Sequence, residues 1–230
     1  MKNNKKYLVC GDLHGDYDLM KKIVQRFSPE YYLIFLGDLL DSFVFSPRQQ
    51  IECVKLMLTL IKQGTVACCM GNHEASYLFP KTQLASGWNQ ETDRLLEPYK
   101  QEIVEHFNSV IWFEKEKILI SHAGLTKPLW DHYKITVESL SKFIDQWFQN
   151  LKSPYYFIGR SRGGYDPVGG LLWCDWRHEF QSIPEIKQIV GHTPLKKYDC
   201  RGNDWNIDVL QNKEKVVLQI DPGMIMKITL

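Results

Sequence analysis

Three absences narrow the field before any motif is considered. The chain has six cysteines, but no two form a C-x-x-C pair, which argues against a zinc ribbon or a disulfide framework. Cys10, Cys68 and Cys69 lie inside apolar runs, where free cysteine behaves as a small buried hydrophobe, as expected in a reducing compartment. No apolar run approaches the roughly 20 residues of a membrane-spanning helix. Met1 to Lys6 resembles the charged start of a signal peptide, but the apolar stretch after it breaks at Gly11-Asp12. No signal peptide or membrane partner is therefore expected, and the expected location is cytoplasmic. Net charge is also nearly absent: Lys+Arg 28 against Asp+Glu 27 leaves +1, so no global basic field indicates nucleic acid as a partner. There is no internal repeat, low-complexity segment or linker. The 230 residues, 44% hydrophobic and 24% charged, predict one domain over 1–230. A domain of that size buries roughly 70–75% of its unfolded surface without staples.

What the chain does have is alternation. Met20, Ile23, Val24 and Phe27 follow helical spacing until Ser28-Pro29. Residues 31–36 form a continuous apolar run, the pattern of a strand covered on both faces. Ile51, Val54, Leu58 and Ile61 predict a helix that opens near Ser46-Pro47 and ends at Gln63-Gly64. Such a βαβαβ opening predicts an α/β fold with a mainly parallel sheet, whose ligands bind beyond the carboxyl ends of the strands. Further on, a helix is predicted over 94–107 and another through Val137, Leu140, Ile144, Trp147 and Leu151. Strands are predicted at 110–113, 117–120, 187–190, 216–220 and 225–228.

Five of the apolar runs end in a short motif bearing a metal-binding side chain. They are Gly11-Asp12-Leu13-His14-Gly15, Gly37-Asp38-Leu39-Leu40-Asp41, Gly71-Asn72-His73-Glu74, Ser121-His122-Ala123-Gly124-Leu125 and Gly191-His192-Thr193-Pro194. Taken singly, a Gly-Asp after a strand reads as a turn or a helix cap, and a lone histidine there as structural. Their conjunction places carboxylate, imidazole and amide oxygen at one sheet edge, which is what a two-metal hydrolytic site requires. With no thiolate in the set, the donors suit Mn, Fe, Zn or Mg.

In this order the five motifs resemble the calcineurin-like metallophosphoesterases; the glutamate after Asn72-His73 resembles their phosphoprotein phosphatase branch, and the short His122 and His192 motifs resemble its bacterial and phage members. Leu171-Leu172-Trp173-Cys174-Asp175 is similar to that branch's L-L-W-S-D segment, and Ile220-Asp221-Pro222-Gly223 to its I-D-T-G. The resemblance implies an αββα sandwich of mixed sheets with the metal site at the carboxyl ends of the strands. It implies two divalent ions, with Mn favoured for bacterial members. Asp12 and His14 would hold the first ion, Asp38 would bridge, and Asn72, His122 and His192 would complete the second. The implied reaction is in-line attack by a hydroxide shared between the ions, with His73 as general acid paired to Asp41. The alternatives are that His73 is a third ligand and Asp41 a cap.

The chain departs from the pattern directly after Asp41, where Ser42-Phe43 stands in place of Arg-Gly. The resemblance therefore turns to a phosphate-binding arginine before the tryptophan-aspartate segment. Arg160 and Arg162 are the candidates, with Arg177 and Arg48 behind them, each against the alternative of a solvated arginine. The stretch between His122 and His192 carries no implied ligand, so 125–185 is the natural place for a specificity cap. His106, His132 and His178 read as surface residues and Trp147 as core, while Trp88, Trp130, Trp173, Trp176 and Trp205 could line a groove. Together these features imply a metal-dependent phosphomonoesterase acting on phosphoserine or phosphothreonine in proteins, or on a small phosphoester. The alternatives are a dinucleoside polyphosphate hydrolase such as one acting on diadenosine tetraphosphate, a nucleotide or RNA-end phosphatase, and a non-catalytic interaction module. The intact residue set argues against the last.

Overall fold

The computed structural model describes residues 6–79, 84–213, 215–221 and 224–230. Pro222 and Gly223, and the first five residues of the basic N-terminal stretch, lie outside them. The chain opens with three parallel strands, β1 (Lys6–Cys10), β2 (Tyr31–Phe35) and β3 (Val66–Cys68), joined by helices α1 (Tyr17–Phe27) and α2 (Pro47–Lys62). Both helices begin as their sequences dictate. The Asp16 side chain accepts the Leu19 N–H at 3.0 Å, and Ser46 caps α2 with Pro47 in its first turn. A seven-residue helix, α3 (Asn72–Leu78), starts inside the third glycine motif.

The 94–107 helix is corrected to two, α4 (Gln90–Leu96) and α5 (Lys100–His106), separated by a 3₁₀ turn over Glu97–Tyr99. Pro98 has no N–H to continue the ladder. A second sheet follows, built from β4 (Ile111–Phe113), β5 (Ile118–Ile120), β6 (Lys187–Val190), β7 (Asp199–Arg201) and β8 (Asp204–Asn206), with α6 (Lys127–His132) and α7 (Leu140–Phe148) between β5 and β6. Finally β9 (Val216–Asp221) and β10 (Met224–Thr229) return antiparallel to the first sheet. The strand orders are β10-β9-β1-β2-β3 and β4-β5-β6-β8-β7, each a mixed sheet.

Alternation along the strands decides the layers. Leu8, Cys10, Leu33 and Phe35 turn toward α1 and α2, while Val9, Ile34, Ile120, Ile189, Ile207 and Leu218 pack between the sheets. Both faces of β1 and β2 are thus covered, the physical reason their sequences are continuously apolar. Trp147 and Trp130 join the helical core, and Trp176 stacks on Phe180 outside the second sheet. Because β1, β2, β3, β5, β6 and β8 are parallel within their sheets, all five motifs and the turn after β8 emerge at carboxyl ends, facing one another across the seam. Among the described residues no helix is long and apolar enough to cross a membrane.

Candidate active site

The strand ends are locked together by backbone before any side chain contributes. The Asp38 carbonyl accepts the N–H groups of Leu13 and His14 at 3.2 and 2.8 Å, tying the turn after β1 to the turn after β2. Gly37 adopts φ +99°, and a Cβ there would stand 2.6 Å from the Gly71 nitrogen. Only glycine lets these two turns touch. The residues that follow accept strain instead: His14, Asp38, Asp41 and His192 all have positive φ, from +42° to +65°. Left-handed non-glycine residues concentrated at one point are characteristic of functional sites.

Glu74 holds part of this strain in place. It is fully buried at the third position of α3, where a helix-capping glutamate would ordinarily reach back to its own N-terminus. Here Oε2 accepts the Asp38 N–H at 2.8 Å, and Oε1 accepts those of Leu39 and Leu40 at 2.8 and 3.2 Å.

The imidazoles are aimed by their outer nitrogens. His14 Nδ1 donates to the Leu40 carbonyl and His122 Nδ1 to the Leu36 carbonyl, each at 2.9 Å. A carbonyl can only accept, so in each neutral ring Nε2 is left bare and pointed at Asp38, with Nε2 to Oδ2 separations of 3.9 and 3.4 Å. Burial pulls the His14 imidazolium down to about 4 and that of His122 to about 3, so both are neutral donors at pH 7. His192 is likewise pulled down, by burial and then by neighbouring His122.

Two groups could hold a metal, His14-Asp38-His73 and Asp38-His122-His192, and they share Asp38. Around the second, the bare His122 Nε2 lies 2.8 Å from Asn72 Oδ1 and 3.2 Å from His192 Nδ1, while that nitrogen lies 2.9 Å from the same amide oxygen. Asn72 Oδ1 and the bare His122 Nε2 can only accept, so a single proton on His192 Nδ1 cannot satisfy all of these contacts. A crowd of acceptors with so few protons fits a cation. Asp12 is aimed at the same seam. Its Oδ2 accepts the His192 N–H at 2.9 Å, and its buried Oδ1 has no hydrogen-bond partner among the described residues.

The carboxylates point the same way. Burial, then the charges of Asp208 and Asp38, raises the Asp12 pKa well above the usual range. Burial pushes Asp38 up to about 8 against the opposing charge of His73, and Asp208 up to about 7. This concentration of buried carboxylate is what divalent ions neutralise, and the mixed oxygen and nitrogen donors fit borderline or hard metals.

His73 differs from the other three imidazoles. Its Nδ1 faces Asp41 Oδ2 at 2.8 Å, its backbone N–H donates to Asp38 Oδ1 at 3.1 Å, and its Nε2 lies 3.7 Å from Asp38 Oδ2. Burial disfavours the imidazolium, but the charge of Asp38 and the hydrogen bond and charge of Asp41 outweigh it and lift the pKa to about 9. These residues line a cavity of about 350 Å³ together with Trp173, Ser86 and Gln211. At its mouth Ser42 Oγ accepts the N–H groups of Val44 and Phe45 at 3.1 Å each, a turn that displays Phe43 and Val44, both 84% exposed.

Of the four arginines considered, only Arg162 lines the cavity. Its Nη2 contacts Thr193 Oγ1 at 2.8 Å and Asp175 Oδ2 at 3.0 Å, and its buried Nε has no hydrogen-bond partner among the described residues. Arg160 and Arg48 are exposed, and Arg177 turns its guanidinium to the Pro194 carbonyl. Arg162→Ala is expected to raise KM for a phosphoester roughly 10-fold or more while Arg160→Ala leaves it unchanged, a loss on the scale of a charge-assisted hydrogen bond. Steady-state kinetics on the two variants checks this.

The Ile-Asp pair assigned at Ile220-Asp221 is corrected by the topology. Asp221 ends β9 beside Lys6, 3.7 Å away, at the opposite end of β1 from Asp12. The Ile-Asp pair at the site is Ile207-Asp208 after β8, with Asp208 3% exposed and its Oδ2 without a hydrogen-bond partner among the described residues. A strand of three residues gives too little pattern to reveal it. Glu74's clamp and Tyr77, whose hydroxyl meets Asp41, also went unread, since their partners lie more than 30 residues away.

The fold has known counterparts. An asymmetrical bis(5'-nucleosyl)-tetraphosphatase of Halalkalibacterium halodurans is 24% identical over 225 residues, covering 87% of this chain and 83% of its own. A cold-active protein-tyrosine phosphatase of a psychrophilic Shewanella shares the fold at TM-score 0.66 and 18% identity, over 98% of this chain and 80% of that one. A protein serine/threonine phosphatase of Saccharomyces cerevisiae does so at TM-score 0.59 and 17% identity, over 100% and 80%. The calcineurin-like phosphoesterase model matches residues 5–198, a span that contains all five motifs, so the chain belongs to the calcineurin-like phosphoesterase family.

Proposed function

We propose that this metallophosphoesterase hydrolyses phosphomonoesters, with phosphoserine or phosphothreonine in a protein as the leading substrate. The observation that carries this reading is the convergence of Asp12, His14, Asn72, His122 and His192 around Asp38, with His73 facing the same cavity. Asp12, His14 and Asp38 would hold one divalent ion, and Asp38, Asn72, His122 and His192 a second, with Mn the first candidate. Bound there, the ions would polarise phosphoryl oxygens and make a water acidic enough to attack near neutral pH.

The remaining steps belong to side chains. Arg162 binds phosphoryl oxygens at the cavity wall. Asp41 orients His73 and favours its charged form, and His73 Nε2 gives a proton to the departing alkoxide. The 125–185 segment contributes Arg162 and Trp173 to the cavity, which supports its reading as the specificity cap of one domain spanning 1–230. Five buried free thiols and one exposed fit a cytoplasmic location.

The curated relative favours a second reading, hydrolysis of an asymmetrically cleaved dinucleoside tetraphosphate. One Mn-loaded sample assayed for kcat/KM on phosphoserine peptides and on diadenosine tetraphosphate separates the two. The leading reading expects the peptides to be preferred, and a strong preference for the dinucleotide overturns it. His73→Asn is expected to lower kcat on the peptides by about 10²–10⁴-fold, the usual worth of a general acid. Full retained activity would remove His73 from the chemistry.

A further inference from the structure

Tyr77 lies one helical turn beyond His73 on α3 and is 2% exposed. Its hydroxyl meets Asp41 Oδ1 at 2.5 Å, while Asp41 Oδ2 faces His73 Nδ1 at 2.8 Å. The direction of the first bond is set from outside, because the Asn89 N–H donates to the same phenol oxygen at 3.1 Å. With its oxygen accepting from Asn89, the phenol has its own proton to give to Asp41. The ring is held as well, stacked on Trp88 with centroids 5.8 Å apart and planes 23° from parallel. Asp41 itself sits at φ +58°, its N–H held by Gln50 Oε1 at 2.8 Å.

A contrast among the imidazoles gives this arrangement a meaning. His14 and His122 are anchored by main-chain carbonyls, which cannot swing. His73 is anchored by a side-chain carboxylate, which can rotate unless its second oxygen is also held. Of the described groups that meet Asp41 Oδ1, Tyr77 is the one that donates to it. We propose that Tyr77 is a positioning residue for proton donation, acting through Asp41 to keep the His73 ring turned so that Nε2 faces the cavity. The inference rests on reading His73 as the proton donor. It goes further by running the donor's alignment through α3 to the 84–92 segment, which supplies Trp88 and the Asn89 N–H.

The proposal has a signature that ordinary packing lacks, because only a poor leaving group needs the proton. Tyr77→Phe keeps the ring and the Trp88 stack while deleting the hydroxyl. With Mn-loaded protein, it is expected to lower kcat on a phosphoserine peptide by about 10–100-fold, the usual loss for a supporting partner. On 2,4-dinitrophenyl phosphate, whose phenolate leaves unaided, the rate is expected to stay within about twofold. Bound metal, measured by elemental analysis, is expected to be unchanged. An equal loss on both substrates, or a loss of metal, overturns the positioning role.

A double-mutant cycle keeps the test sharp if Tyr77→Phe also softens the fold. Beside Asp41→Ala, the Tyr77→Phe loss on the peptide is expected to disappear, because the acceptor it acts through is gone. Full additivity overturns the inference. His73→Asn run on the same two substrates separates the failures. If it slows both equally, the proton-donor reading fails; if it is selective and Tyr77→Phe is not, only the inference about Tyr77 fails.

Discussion

Glu74→Ala is expected to lower stability by about 3–9 kcal/mol, because it leaves the N–H groups of Asp38, Leu39 and Leu40 buried and unpaired at about 1–3 kcal/mol each. That is a large fraction of the total for a domain of this size. The loss falls on the residue shared by both metal groups, since Asp38 sits at φ +52° and depends on the surrounding bonds to stay there. Metal binding is therefore expected to weaken along with the fold. Glu74→Gln tests the same idea more gently. Its one amide oxygen can still accept two of the three N–H groups, but its NH₂ then faces the third, so about 1–3 kcal/mol is expected. Urea denaturation of the three proteins, with and without Mn, checks both values. A Glu74→Ala protein whose midpoint matches the parent would show that the clamp does not hold Asp38.

Stripped of divalent ions, the protein is expected to lose stability as pH rises from about 6.5 to about 9, and to recover it on addition of Mn. The sign follows from four groups. Burial raises Asp38 to about 8 and Asp208 to about 7, and it also raises Asp12, whereas an unfolded aspartate titrates near 3.9. His73 is raised to about 9 by Asp38 and Asp41 despite its burial, from about 6.5 in the unfolded chain. A group raised on folding stabilises fully below its unfolded pKa, and that contribution is lost as pH climbs through the folded value. In this window the native state holds more protons than the unfolded chain, so stability falls with pH.

His14 and His122 run the other way, lowered by burial to about 4 and about 3. Their contribution is complete above about 6.5 and lost only as pH falls below it. They therefore do nothing to offset the alkaline loss. Mn at about 100 times its dissociation constant adds about 2.7 kcal/mol, which corresponds to about 5–10 °C in Tm for a chain of this length. Thermal melts in chelator and in Mn at pH 6.5, 7.5 and 9 test the claim. A chelated protein whose Tm is flat or rises over that range would contradict it.

The legible parts of the molecule were those whose physics is local. Asp12, His14, Asp38, Asn72, His73, His122 and His192 could be named because each follows an apolar strand and a glycine or serine, and parallel strands carry their carboxyl ends to one edge. The starts of α1 and α2 were legible for the same reason: Asp16 and Ser46-Pro47 act within one turn. The read fails where pattern is short or misleading. β7 and β8 have three residues each, and Pro98 divides an otherwise periodic 94–107. Ile220-Asp221 imitates a motif whose place by the site is taken by Ile207-Asp208.

By itself, then, the sequence determined the alternating strands and helices of the first half, the sheet edge that gathers the five motifs and the side chains those motifs carry there. Short-range stereochemistry suffices for each of these. Only the tertiary structure decided how the donors are held: Glu74 across the Asp38 turn, Tyr77 behind Asp41, Arg162 rather than Arg160 in the cavity wall, and Asp208 beside Asp12. Apart from the Arg162–Asp175 pair, those contacts join positions more than 30 residues apart, in one case nearly 200. Their partners are selected by burial, where an unpaired polar group is costly, and nothing in the neighbouring sequence records that choice.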